Sequence, residues 1–288
     1  YDTCLRAKWY EEKHQDKEGR YNPVDFSFED WEKMYLPSCW NMHSEKLFLY
    51  EGSIVYTRTF KYYCKGERRV YIKFGAANYN AKVFVNTQYL GCHKGGSTPF
   101  YVEATGLLKE ENRIIVVVNN TRRSTHVPCE NTDWFNYGGL YRDIEIIRLP
   151  GTFIRDFSIS LVPDSGFTQI QACLTVEGPE QEGIAAFRID ELNLAHTIQV
   201  SGGKGSTIID ACPELWSPDT PKLYDVVLSY GEDAIYDKIG FREIKTDGKR
   251  IYLNGKEIFL KGICAHEESV PNGKAVHEDE IRENFRLA

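Results

Sequence analysis

The 288-residue chain contains no run of the roughly 18–20 apolar residues that a membrane-spanning helix needs; Ile114–Val118 is only strand-sized. Tyr1–Tyr10 carries charges where a signal peptide would hold its apolar core, so no secretory leader is expected and a cytoplasmic location follows. An initiator methionine is missing too, as processing or trimming would leave the chain. None of the eight cysteines (Cys4, Cys39, Cys64, Cys92, Cys129, Cys173, Cys212 and Cys264) forms a C-x-x-C pair, which argues against both a zinc site and a dense disulfide framework. Free, mostly buried thiols in a reducing compartment are expected. Positive charge is also short: 35 basic against 42 acidic side chains leave a net −7, unlike the basic surfaces that bind nucleic acid or anionic membranes. There is no G-x-S-x-G element and no Cys/His nucleophile pair. Gly91, Gly95 and Gly96 do not lie where a strand runs into a helix, so phosphate binding has little support. Asn119-Asn120-Thr121 matches a glycosylation sequon but has no secretory context.

What is present is β-forming. The composition is 42% hydrophobic and 13% aromatic, with 27% charged residues, too apolar for disorder and too mixed for a coiled coil. At roughly 100–200 residues per domain, two domains and a remainder are expected. Tyr56–Tyr62, Val70–Phe74, Ala81–Val85, Arg113–Val118 and Asp143–Arg148 read as short strands punctuated by Gly, Asn, Asp or Pro. Val83-Phe84-Val85-Asn86 and Ile144-Glu145-Ile146 alternate so that one face is expected to be dry and the other wet. Asp25–Trp31 reads as a short helical turn or a loop. Together these segments predict a β-sandwich or jelly roll.

Leu149-Pro150-Gly151 is the first expected boundary. Beyond it, Ile154–Leu161, Thr168–Glu177, Ala185–Leu192, His196–Val200 and Tyr224–Tyr230 suggest an immunoglobulin-like sandwich of about seven strands. Asp247-Gly248 and Asn254-Gly255 are favoured hairpin turns flanking the strand Arg250–Leu253. Ile258–Ile263 reads as a further strand leading to Cys264-Ala265-His266-Glu267-Glu268, and His277–Ala288 as an amphipathic helix with apolar Ile281, Phe285 and Leu287. A strand, a polar loop and a helix are the opening of a β/α unit.

Two clusters hold the chemistry-bearing residues. Glu267-Glu268 follows a strand end, where β/α enzymes place functional groups, although a solvated loop would carry the same residues. The adjacent His266 could contact a ligand or simply pack; with no second ligand at metal spacing, no metal is expected. Asp133-Trp134-Phe135-Asn136-Tyr137-Gly138-Gly139 combines aromatics, which stack on sugar rings, with groups that hydrogen-bond hydroxyls. Phe135 and Tyr137 read individually as plugs for the end of a sandwich core. Asp133 is the stronger functional candidate, because a carboxylate in an aromatic loop must be solvated, paired or touching a ligand.

In order along the chain, the following segments resemble the family 2 glycoside hydrolases, the β-glucuronidase and β-galactosidase group: Leu36-Pro37-Ser38-Cys39-Trp40; Tyr50-Glu51-Gly52 with Tyr56-Thr57-Arg58-Thr59-Phe60; Phe74-Gly75-Ala76; Val83-Phe84-Val85-Asn86; Gly95-Gly96-Ser97-Thr98-Pro99-Phe100; Asp133–Gly139 into Leu140-Tyr141-Arg142; Leu215-Trp216-Ser217-Pro218; Gly240-Phe241-Arg242; and Leu253-Asn254-Gly255-Lys256 through Lys261-Gly262-Ile263-Cys264-Ala265-His266-Glu267. The resemblance implies a mainly β chain: a jelly-roll sugar-binding-like domain at 1–148, an immunoglobulin-like sandwich at 149–245, and the start of a (β/α)8 barrel at 246–288. It implies substrate contacts at Asp133 and His266, with Glu267 a weaker neighbour, and no organic cofactor. Where the family often has Asn, this chain has Cys264.

The reaction implied is retaining hydrolysis of β-glucuronides or β-galactosides by two glutamates with carboxyls about 5–5.5 Å apart. Both belong to later barrel strands; neither Glu267 nor Glu268 matches them, and 43 residues after Lys245 cannot make a barrel of roughly 250. The 288-residue chain is therefore expected to be catalytically inactive, with its tail disordered, packed on the immunoglobulin-like domain, or paired with another chain. Two readings stand beside this one: a non-catalytic carbohydrate-binding module built on the Asp133–Gly139 loop, and a scaffold for the barrel and for the subunit contacts of a homo-oligomer.

Overall fold

The computed structural model describes residues 28–66 and 68–288; Cys4, the Tyr1–Tyr10 segment and Asp25–Ser27 lie outside them. Contacts divide the chain into one unit of residues 1–148 with 263–288 and a second of residues 149–262.

In the first unit, nine strands are described: β1 (Ser38–Cys39), β2 (Ser53–Lys61), β3 (Arg69–Phe74), β4 (Asn80–Val85), β5 (Gln88–Lys94), β6 (Phe100–Glu103), β7 (Glu111–Asn119), β8 (Gly139–Leu140) and β9 (Ile144–Leu149). They form a four-stranded sheet β2-β7-β4-β5, a three-stranded sheet β6-β3-β9 and the short pair β1-β8. Ile72, Phe74, Val83, Val85, Phe100, Val116 and Val118 fill the space between the larger sheets, with Trp40 and Leu140 in the same cluster. Phe74 and Phe100 stack at 4.7 Å. This is the sandwich that the alternating strands predict.

Alternation is misleading at two places. Val83, Phe84 and Val85 are all buried, because Phe28, Trp31 and Tyr89 cover the face of the sheet formed by Val55, Phe84, Ile115 and Val117. Phe28 and Trp31 meet edge to face at 4.8 Å within a turn, so the described end of Asp25–Trp31 is a covering turn. Conversely, Ile144 and Ile146 remain exposed, since β9 is an edge strand of its sheet.

The second unit contains β10 (Phe153–Leu161), β11 (Gln169–Glu177), β12 (Gly183–Ile189), β13 (Leu194–Ser201), β14 (Lys204–Asp210), β15 (Tyr224–Tyr230) and β16 (Asp233–Ile239), antiparallel in the order β10-β11-β14-β13-β12-β15-β16. In β11, Ile170, Ala172, Leu174 and Val176 point inward while their neighbours are half-exposed. The Ile154 amide donates to Asp233 Oδ2 at 2.8 Å, bringing the first and last strands of the sheet together and curling it around one core.

The same unit ends in β17 (Ile244–Asp247), β18 (Arg250–Leu253) and β19 (Lys256–Ile258). Asn254 and Gly255, at φ 51° and 78°, form the expected tight turn. The other turn falls one residue later than expected, at Gly248-Lys249, with Asp247 paired to Arg250 and Gly248 supplying the positive φ of 56°. The strand expected at Ile258–Ile263 stops at Ile258. Residues 259–268 have no regular structure, and Phe259 and Leu260 are 85% and 66% exposed. A parallel barrel strand forms only beside other barrel strands, and among the described residues this stretch has none.

The 43-residue tail is split: residues 246–262 fall with the immunoglobulin-like unit, one of the places expected for it, whereas the remainder does not. Residues 263–288 belong to the first unit and not to the immunoglobulin-like one: Ala275 is buried with Cys39, Ala76 and Tyr141, and Met42 and Tyr137 pack against them. Helix α1 (Glu278–Leu287) has three acidic residues in its first turn, where they suit the helix dipole. Phe285 and Leu287 are exposed. No described helix is long and apolar enough to cross a membrane. Free cysteines are found, yet the expectation that most are buried is wrong. Cys39 is buried and Cys173 half-buried, whereas Cys64, Cys92, Cys129, Cys212 and Cys264 are exposed, because most of them sit on loops or on outward strand positions.

Candidate functional site

The aromatic loop is held by its glycines. Gly139 at φ 141° begins β8 and pairs with Cys39, and a Cβ there would meet Ser38 O at 2.5 Å. Gly138 lies on the buried Trp40 ring, where a Cβ would come within 2.0 Å of the indole. Asn41 fixes the same point from the other side: its Oδ1 accepts from the Gly138 amide at 2.7 Å, while its Nδ2 donates to Leu47 O and Phe48 O at 3.1 and 2.9 Å. Two of the segments that carry the resemblance, Ser38–Trp40 and Gly138–Leu140, thus meet backbone to backbone.

Asparagines hold the front of the loop. Asn136 Nδ2 donates to Asn120 O at 2.7 Å, Asn120 Nδ2 donates back to Asn136 O at 3.1 Å, and Asn120 Oδ1 accepts from the Gly52 amide at 2.9 Å. Arg122 pairs with Glu51 at 2.7 Å and donates to Thr132 O at 3.2 Å, one residue before Asp133. These ties leave Asp133 exposed on a cleft of about 360 Å³ whose lining includes Glu51, Arg122, Trp134, Phe135 and Asn136. Phe135 packs on Phe48 at 5.1 Å and on Tyr137 at 4.7 Å and is half-buried. It lines the cleft and joins none of the described cores, so it is not the plug expected, whereas Tyr137 does pack against a buried cluster. Trp134 is 57% exposed, the most exposed aromatic ring of the loop.

His266 packs on that indole, the two rings nearly perpendicular at 4.9 Å, and its Nδ1 is 3.7 Å from Glu268. Glu267 points to Arg142, with Oε2 3.4 Å from Nη2. The three residues singled out from the sequence are therefore gathered around one loop: Asp133 by chain adjacency to Trp134, His266 by ring contact, and Glu267 through Arg142. Tyr137 lies beneath; burial, reinforced by the Glu268 carboxylate beside it, raises its hydroxyl pKa to about 12 and keeps it a neutral donor. Cys39 is pushed to about 11, chiefly by burial, so it is not a nucleophile at neutral pH. Among the described residues no cluster of three His, Cys, Asp or Glu could hold a metal ion.

Sequence reasoning assigned no role to Arg142 or to the Glu51–Arg122 pair, although Arg142 and Glu51 belong to segments that carried the resemblance. An arginine three residues past an aromatic loop gives no local sign of contacting a residue 125 positions away.

Comparison with known proteins agrees with this architecture. Residues 3–150 match the model for the glycosyl hydrolases family 2 sugar-binding domain, and residues 153–242 match a second family 2 glycosyl hydrolase model. A β-glucuronidase of Paenibacillus borealis is 26% identical over 98% of the chain and 52% of its own length. A β-galactosidase of Thermoanaerobacterium thermosulfurigenes is 28% identical over 91% of the chain and 40% of its own length. In fold, the β-glucuronidase of Bifidobacterium dentium superposes with a TM-score of 0.80 at 24% identity, covering 88% of the chain and 50% of that structure. A β-glucuronidase from an uncultured Clostridium gives 0.81 at 24% identity, covering 100% and 50%. The chain thus spans about half or less of the length of these relatives. With a jelly-roll domain, an immunoglobulin-like sandwich and family models matching both, the chain belongs to the family 2 glycosyl hydrolases.

Proposed function

We propose that the chain is the N-terminal portion of a retaining β-glycosidase acting on β-glucuronides or β-galactosides, with Asp133 and His266 as sugar contacts and Glu267 as their neighbour. Residues 1–148 form its sugar-binding-like domain, 149–245 the immunoglobulin-like domain, and 246–288 the opening of the catalytic barrel. The observation that carries this reading is the gathering of Asp133, exposed Trp134 and His266 around one rigidly tethered loop. A solvent-facing indole that follows a carboxylate in the chain and packs against an imidazole suits a pyranose, stacking on its apolar face and hydrogen-bonding its hydroxyls. The names of the relatives support the two sugar classes.

The general acid and the nucleophile are proposed to lie on barrel strands outside these 288 residues, so the chain alone has no turnover. Hydrolysis of nitrophenyl β-glucuronide or β-galactoside by the purified chain, surviving controls for a host enzyme, would overturn this. In a longer polypeptide that includes the barrel, Asp133→Ala removes a charged hydrogen bond worth about 1.5–3 kcal/mol and lowers kcat/KM by roughly tenfold to 150-fold. An unchanged kcat/KM would remove Asp133 from the site, and the ratio of rates on the two glycosides identifies the sugar.

The cleft also gives the carbohydrate-binding module its footing, since it lies wholly within the first unit. Titration calorimetry of the 288-residue chain with mono- and oligosaccharides separates the readings: the glycosidase portion binds weakly or not at all, whereas tight binding lost in Asp133→Ala identifies a binding module.

A further inference from the structure

We propose that Arg142 is a positioning residue that fastens the His266 segment against the aromatic loop. The inference rests on the reading above, in which His266 contacts the sugar. Arg142 is three residues beyond Gly139, in the bend between β8 and β9, and its own place is closely set. The Gly75 amide donates to Asp143 O at 2.9 Å, and a Cβ at Gly75 would meet the Arg142 Cβ at 2.6 Å. From there the guanidinium reaches the tail at two points. Nη1 donates to Lys274 O at 2.5 Å and to Tyr141 O at 2.9 Å, while Nη2 approaches Glu267 Oε2 at 3.4 Å.

Those two attachments straddle a small closed loop. Ser269 and Gly273 exchange backbone hydrogen bonds at 3.0 and 2.9 Å, so fixing Lys274 and Glu267 fixes both ends of the turn between them. His266 immediately precedes the first attachment. Just upstream, residues 259–265 are exposed and irregular, so nothing regular in that direction locates the imidazole. An untethered segment of this kind samples many backbone states, and a tether that removes them sets the local concentration of His266 at Trp134. The task suits arginine, because a planar fork reaches a carbonyl and a carboxylate together, whereas an ammonium offers a single point charge.

The test uses the 288-residue chain and measures the imidazole NMR signals of His266 together with amide exchange along the chain. In the native chain the Trp134 ring displaces the His266 ring signals, and Trp134→Leu calibrates that displacement. Arg142→Ala should abolish it and speed exchange at least tenfold across 266–277, with β2, β4 and β7 unchanged. Arg142→Lys, which keeps the charge and loses the fork, should lose at least half of the displacement. Full retention of the His266 signals and of tail protection in either folded variant overturns the proposal. So does faster exchange throughout the sheet strands of a folded variant, which would make Arg142 a general structural residue. Should Arg142→Ala fail to fold, the lysine variant alone decides.

None of these measurements involves a sugar. If the tail loosens as expected but His266→Ala leaves the kcat/KM of the longer polypeptide unchanged, the sugar reading fails and the fastening stands. If His266→Ala does lower kcat/KM, the double variant with Arg142→Ala should lose no more than His266→Ala alone. An additive loss would show that Arg142 acts by another route and would overturn the proposal.

Discussion

At the scale of single residues, the site depends on atoms that leave no room. Gly138→Ala places a methyl group inside the Trp40 indole, and overpacking of this kind costs about 1–3 kcal/mol. A urea titration should show that loss with the slope unchanged, while Asp133→Ala, on an exposed side chain, leaves the midpoint where it was. Cys39 sets a second expectation. Its thiol is raised from an ordinary 9.0 to about 11 by burial, so the folded state holds the proton more tightly than the unfolded chain does. Its contribution to stability is complete below pH 9 and is lost as pH rises toward 11, by about 2–3 kcal/mol in all. Cys39→Ala should flatten that alkaline decline in a series of thermal melts. A thiol reagent at pH 8 should label Cys64, Cys92, Cys129, Cys212 and Cys264 and spare Cys39 until the chain unfolds. The thiols also show what composition could not supply: cysteine is buried on average, but the depth of each one depends on the strand face or loop that carries it.

At the scale of elements, strands were legible and their covers were not. Tyr224–Tyr230 and Arg250–Leu253 form over the residues that alternation and turn chemistry indicate. β5, β14 and β16 escaped notice because their residues carry weaker β patterns between turn-rich neighbours. The helix was readable from Ile281, Phe285 and Leu287 spaced among charges, but the tie that starts it was not. The Glu280 carboxylate accepts from the His277 amide at 2.7 Å and from Asn272 Nδ2 at 3.1 Å. Those bonds, the His277 amide foremost, hold the Glu280 carboxyl below the usual carboxylate range. The sign is that of a depressed acid: the tie is intact above the ordinary glutamate pKa and disappears as pH falls through the lowered one. Glu280→Gln should accordingly speed amide exchange at His277 and Ile281 at neutral pH and remove the acid dependence of exchange there. Exchange identical to that of the native chain would show that the cap carries nothing.

At the scale of the whole molecule, two units with separate cores each hold their own reporters. Residues 149–262 contain a single tryptophan, Trp216, whereas Trp31, Trp40 and Trp134 belong to the first unit. Trp216→Phe therefore removes the fluorescence signal of the second unit, and comparison with the native chain separates the two unfolding curves. Deleting residues 263–288 uncovers Cys39, Ala76 and Tyr141, so the first unit should lose stability while the Trp216 transition stays in place. A shift of the Trp216 transition alone would assign the tail to the second unit.

The sequence alone carried the β class, the two sandwiches, most strand positions and the segments shared with the family, because periodicity and turn chemistry act over a few residues and can be read locally. The gathering of Asp133, Trp134, His266 and Arg142, the burial of Cys39 and the seating of the tail arise from contacts across more than a hundred residues. Such contacts depend on which surfaces the folded strands present to each other, and no local pattern along the chain encodes that.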